Sequence, residues 1–202
     1  MRTKKTDKLF RLTFLALFTA IIIIMDFTPI GYIVTPFFSI TLMTLPVAIG
    51  AVCTGISGGL YLSFLFGLTS FLMCFNIGFM PDRTASLMFS ANPFGTVFTC
   101  FIPRLLAGLI TALIFLIFKK RENTGIVAFA ISCAAMPVLN TVLFLTSYYL
   151  FFKNTLLATT TVKALITAAF SINGLVELAI TLLVGTVVAK TIYNYMLKLS
   201  TN

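Results

Sequence analysis

Histidine is absent from this chain of 202 residues, and acidic side chains number only 5. Without imidazole there is no histidine metal site, no histidine acid or base, and no Ser-His or Cys-His nucleophile pair. Cys53, Cys74, Cys100 and Cys133 stand apart, with no CxxC spacing, within or beside apolar runs. They read as small buried hydrophobes rather than disulfide partners or metal ligands. No GxxxxGK(S/T) loop occurs, which excludes ATP hydrolysis by that route. Charge of either sign is scarce, at 9% of residues, where soluble domains carry about 25%.

What is present is hydrocarbon: 59% of the residues are apolar, too many for an ordinary solvated surface. A membrane-spanning helix takes about 20 residues, so the sequence predicts an all-α membrane protein of six transmembrane helices, residues 1–202 forming one bundle. Nothing is left over for a soluble catalytic domain. The expected spans run from Leu12 to Phe27, Leu45 to Gly55, Gly59 to Phe75, Thr96 to Phe118, Gly125 to Phe151 and Thr161 to Ala189. Pro29, Gly31 and Pro36 break helix in the apolar stretch 28–44, and 76–93 is the most polar internal stretch. Both are expected as loops.

The basic excess sits where it orients the chain. Arg2, Lys4, Lys5, Lys8 and Arg11 form a tail at 1–11, Lys119, Lys120 and Arg121 cluster between spans, and Lys190 and Lys198 lie near the end. Six spans place these clusters, and both termini, on the cytoplasmic side, as resistance of Lys and Arg to translocation requires. Nucleic acid is not an expected partner; the lipid bilayer is.

Charges inside hydrocarbon demand a partner or a wet cavity, at about 2.5 to 3.5 kcal/mol each on insertion scales. Asp26, Arg104, Glu177 and Lys163 raise that demand. Glu177 falls roughly 20 Å down the sixth span at 1.5 Å per residue, with Asn173 one turn above it on the same face. Asn140 reaches similar depth in the fifth. Arg104, Asn140, Asn173 and Glu177 therefore outline a candidate pocket for a polar solute in the outer half of the bundle. The plainer reading is that Arg104 snorkels to the headgroups and the asparagines tie helices together. In the first span, Ala16 and Ala20 leave a notch where another helix could approach closely. No cofactor is implied, and no clustered ligands suit a metal.

These features occur in a familiar order. Ala16-x-x-x-Ala20, the loop from Pro29 to Pro36, Leu45-Pro46-Val47-Ala48-Ile49-Gly50 with Gly55 and Gly58-Gly59, Asn92-Pro93, Ile102-Pro103-Arg104-Leu105-Leu106-Ala107-Gly108 and Asn173-Gly174-Leu175-Val176-Glu177 together resemble the substrate-binding (S) component of energy-coupling factor (ECF) transporters. The resemblance implies a non-enzymatic subunit of a bacterial plasma membrane importer that captures a water-soluble vitamin at its outer face. It implies partners as well: a transmembrane coupling protein, for which Ala16 and Ala20 match the docking motif, and two ATPase subunits. The loops at 28–44 and 76–93 would cap the occupied site. The Arg104 and Glu177 segments look most like the pantothenate and riboflavin branches, and Arg104 could pair with the pantothenate carboxylate. Competing readings are a structural or assembly six-helix subunit, an intramembrane enzyme working through Glu177, Asp26, Asp82 or a thiol, and a small autonomous transporter, which the lack of an internal repeat disfavours.

Overall fold

The computed structural model describes residues 4–28, 31–34, 39–78, 83–119, 125–153 and 172–201. Helix α1 (Lys4–Phe27) contains neither glycine nor proline. It begins eight residues before the expected Leu12, so most of the basic tail is helical: nothing in 4–11 interrupts the ladder that the apolar run propagates. Phe14, Phe18, Ile22 and Met25 are buried along one face, the 4-4-3 spacing of a helix stripe.

The stretch expected as an irregular cap holds a small hairpin, β1 (Tyr32–Val34) paired antiparallel with β2 (Ser39–Thr41), with Tyr32 opposite Thr41 and Val34 opposite Ser39. Among the described residues the fold is thus helical with one short two-stranded exception. Pro29 and Pro36 bar helix on either side, and β-branched Ile33, Val34, Ile40 and Thr41 favour the extended backbone.

Helix α2 (Thr44–Leu72) is broken at Gly55, whose φ of 72° and ψ of −160° are not helical. A β-carbon on Gly59 would stand 3.0 Å from that of Ala51, and one on Gly50 would collide with Leu62 Cδ1. In a straight helix residues eight and twelve apart are separated by about 12 and 18 Å. The chain therefore folds back on itself at Gly55, and arms 44–54 and 56–72 lie side by side. The sequence places a reversal over Gly55 to Gly59; Gly55 alone makes it, and Gly58 and Gly59 belong to the second arm, where they serve packing.

A 3-10 turn (Met73–Phe75) ends at Asn76, which takes the left-handed conformation. Next comes α3 (Arg83–Ala91), a helix inside the stretch expected as loop. Helix α4 (Pro93–Phe118) starts cleanly, because Asn92 Oδ1 accepts from Gly95 N at 2.9 Å and Pro93 takes the first turn, where its missing N–H costs nothing. Helix α5 (Ile126–Phe152) runs through Pro137. The chain closes with α6 (Ile172–Ile180), a π-helical turn (Thr181–Gly185) and α7 (Thr186–Thr201). This last helix continues twelve residues past the expected end at Ala189. Tyr193 holds it, buried edge-on against Phe115 and Phe129 at 5.3 and 5.5 Å, with Lys119 over its ring at 5.4 Å.

Among the described residues, five helical stretches are long and apolar enough to cross a membrane: Leu9–Phe27, Thr44–Phe75, Pro93–Phe118, Ile126–Phe152 and Gly174–Lys198. The expected start of the last span, at Thr161, and Lys163 lie outside the described residues. Large apolar side chains such as Phe94 and Ile117 face outward, which suits a surface solvated by lipid tails. Where the solvent is itself apolar, helices are held by close contact rather than by the hydrophobic effect. The α2–α4 seam is accordingly built from small residues: a β-carbon on Gly67 would meet the Cys100 carbonyl oxygen at 3.0 Å, and one on Gly59 the Gly108 carbonyl oxygen at 3.2 Å. All four cysteines are buried, in keeping with their reading as small core hydrophobes.

Candidate ligand site and partner face

Arg104 is 8% exposed and does not snorkel. Its placement follows from its neighbour. Pro103 has no N–H, so the carbonyl of Thr99, four residues earlier, loses its helical donor; Arg104 NH1 donates to it at 2.7 Å. The guanidinium is also flanked by two rings, with Cζ 5.2 Å from the centroid of Phe66 on the second arm of α2 and 5.1 Å from that of Phe144 on α5. A flat, weakly hydrated cation between aromatic faces is a favourable arrangement in a low dielectric.

Glu177 on α6 accepts a hydrogen bond from Thr44 Oγ1 at 2.6 Å. Thr44 opens α2 three residues after β2 ends, so this bond ties the foot of the hairpin to α6. Asn140 Oδ1 is buried and has no hydrogen-bond partner among the described residues. An amide acceptor in that state inside a membrane bundle is costly, and it marks a place where a donor is wanted. Asn173 lies on α6, but its side chain is outside the described residues.

Helix register puts these groups at one depth. Helices α4 and α5 run antiparallel through contacts of Thr111 Oγ1 with Met136 Sδ at 3.7 Å, Arg104 with Phe144, and Phe98 with Phe151 at 4.9 Å. Asn140 falls midway between Met136 and Phe144, hence within a turn of Arg104. The closing helices run antiparallel to α5 in turn, with Tyr193 against Phe129 and Gly185 against Cys133, a β-carbon on that glycine standing 3.4 Å from Cys133 Cβ. Climbing eight residues from Gly185 to Glu177, and seven from Cys133 to Asn140, covers about 12 and 10 Å respectively. A cation, a carboxylate and an unsatisfied amide oxygen thus occupy one layer of the bundle. Sequence reasoning missed Thr44, Phe66 and Phe144, which reach this layer only through tertiary packing. One local signal for Arg104 was legible in principle: a cation directly after an in-helix proline.

Asp26, at the other end of α1 from the basic residues, is fully buried beneath Gly78, where a β-carbon would stand 3.6 Å from its Oδ2. Ala16 and Ala20 are both exposed, on the flank of α1 that also carries outward-facing Leu12, Leu17, Ile23 and Ile24. The opposite flank packs into the bundle. The notch therefore opens outward and is not consumed by internal packing.

A family model for the substrate-specific component of ECF transporters matches residues 10–189. The chain is also 32% identical, over 192 residues, to the pantothenic acid transporter PanT of Lactococcus lactis subsp. cremoris, an alignment covering 91% of this chain and 94% of that relative. The family match takes in most of the described bundle, including Ala16, Ala20, Arg104, Asn140 and Glu177, so this multi-pass membrane protein belongs to the family of substrate-specific components of ECF transporters.

Proposed function

We propose that this chain is the subunit of a bacterial plasma membrane ECF importer that captures pantothenate, with Arg104, Asn140, Asn173 and Glu177 as ligand contacts. The observation that carries the substrate is the buried Arg104 guanidinium in the same layer as two acceptor groups, Glu177 and the Asn140 oxygen. Pantothenate matches that set: one carboxylate for the cation, and hydroxyl and amide N–H donors for the acceptors. Riboflavin has no carboxylate to offer. The likeness to a pantothenic acid transporter supports the same substrate.

Counting the two arms of α2 separately gives six passes, with both termini and the basic clusters on the cytoplasmic side. The site then opens outward under the β1–β2 hairpin and the segment around α3, which serve as its caps. Energy comes from separate subunits, two ATPases and a membrane coupling protein that docks on α1 at Ala16 and Ala20. The chain binds and releases its ligand and catalyses no reaction.

Calorimetric titration of the purified protein in detergent tests the assignment. Pantothenate should bind without ATP or partners, and Arg104→Gln should weaken it at least tenfold, which is about 1.4 kcal/mol. Arg104→Lys should fail to restore affinity, because an ammonium cannot reproduce the flat fork held between Phe66 and Phe144. Heat from riboflavin with none from pantothenate would refute the substrate.

A further inference from the structure

Pro103 lies well inside α4, where its ring removes one backbone donor from the middle of a lipid-embedded helix. The carbonyl left over is that of Thr99, a residue with no exposure at all. In hydrocarbon no water can satisfy such a group, so it must find a donor within the protein. Arg104 supplies one, its NH1 donating at 2.7 Å.

We propose that Pro103 is a positioning residue for ligand capture: by withholding its N–H, it leaves the Thr99 carbonyl as the anchor that holds the Arg104 guanidinium inside the bundle, between Phe66 and Phe144. This rests on the reading of Arg104 as the partner of a ligand carboxylate. A long cation near the middle of a span has two ways to lower its energy, to extend toward headgroups or to find acceptors within the protein. A regular helix commits its carbonyls to its own ladder, whereas a proline one residue before the cation releases a carbonyl close to the cation's own turn.

The test uses Pro103→Ala in the full chain, with Pro103→Leu as a second variant. Both restore the N–H, which then competes with Arg104 for the Thr99 carbonyl. Pantothenate and its alcohol analogue, which lacks the carboxylate, are titrated against each protein, and thermal unfolding is followed in detergent. Nitrogen NMR of the Arg104 guanidinium reports its anchoring without any ligand. The expected result is about tenfold weaker pantothenate binding, unchanged binding of the alcohol, unfolding at the same or higher temperature, and a guanidinium that rotates freely only in the variants. Unchanged pantothenate affinity, or equal loss for both ligands, would overturn the proposal. If the wild type binds no pantothenate, the substrate reading fails by itself; a guanidinium equally immobile in wild type and variants then overturns the anchoring as well, and one freed only in the variants upholds it.

Discussion

Thr44 and Glu177 meet across 133 positions of sequence, the threonine hydroxyl donating to carboxylate Oε1 at 2.6 Å. One residue stands at the foot of the β1–β2 hairpin and the other on α6, so the bond joins a cap of the proposed site to one of its walls. A hydrogen bond to a charged group contributes about 1.5 to 3 kcal/mol.

Replacing Thr44 by valine keeps the shape and removes the donor. Pantothenate affinity should then fall about ten- to a hundredfold, whereas Thr44→Ser, which retains the hydroxyl, should stay within a few fold of wild type. Titration of the three proteins decides the matter; equal affinity in the valine and serine variants would show that the hydroxyl does not orient Glu177 for the ligand.

The α2–α4 seam makes a separate demand. A β-carbon on Gly108 would stand 3.0 Å from the Gly59 carbonyl oxygen, and Ser63 Oγ would also lie in its way. The serine can rotate, but the carbonyl belongs to a packed backbone. Gly108→Ala should therefore lower stability by about 1 to 3 kcal/mol, read as a lower unfolding temperature in detergent, and Gly108→Val should lower it further. An unfolding temperature that does not move would mean the two helices separate without penalty.

Much of this architecture was legible in the residues. The runs of α1, α4 and α5 declare themselves by length and hydropathy, and Asn92-Pro93 marks the start of α4 through cap chemistry that is local. The hairpin and α3 were not legible, because three-residue strands and a nine-residue helix carry too little pattern to stand out from a Pro-interrupted loop. The extension to Thr201 depends on Tyr193 meeting Phe115 and Phe129, a contact between segments far apart in sequence. At the candidate site, the ionisable members of the proposed set could be named from their cost in hydrocarbon. Thr44, Phe66 and Phe144 could not, since threonine and phenylalanine are ordinary in a span until a charge is placed beside them.

Gly55 offers a sharper test of the fold. Nothing lies within 4 Å of a β-carbon built there, yet its φ is +72° with ψ at −160°, a region open essentially to glycine alone. Any loss on substitution is therefore backbone strain and not a clash. Gly55→Ala and Gly55→Asn should destabilise alike, by about 1 to 3 kcal/mol, although asparagine would be tolerated at an ordinary left-handed position. Thermal unfolding of both variants is the measurement. A clear advantage for asparagine would show that the turn is of the ordinary left-handed kind.

The alanine notch separates binding from transport. Ala16 and Ala20 are exposed on α1, so leucine at either position would project away from the bundle and leave the proposed ligand layer untouched. A coupling helix seated on the notch would be displaced by the added side chains, because close helix approach in lipid depends on small residues. The double variant Ala16→Leu, Ala20→Leu should therefore bind pantothenate as wild type does in detergent, and should fail to support uptake in cells that express the proposed coupling protein and ATPases. Uptake at the wild-type rate would remove α1 as the docking face. Loss of binding together with uptake would mean that the substitutions disturb the bundle itself, and that Ala16 and Ala20 serve internal packing rather than a partner.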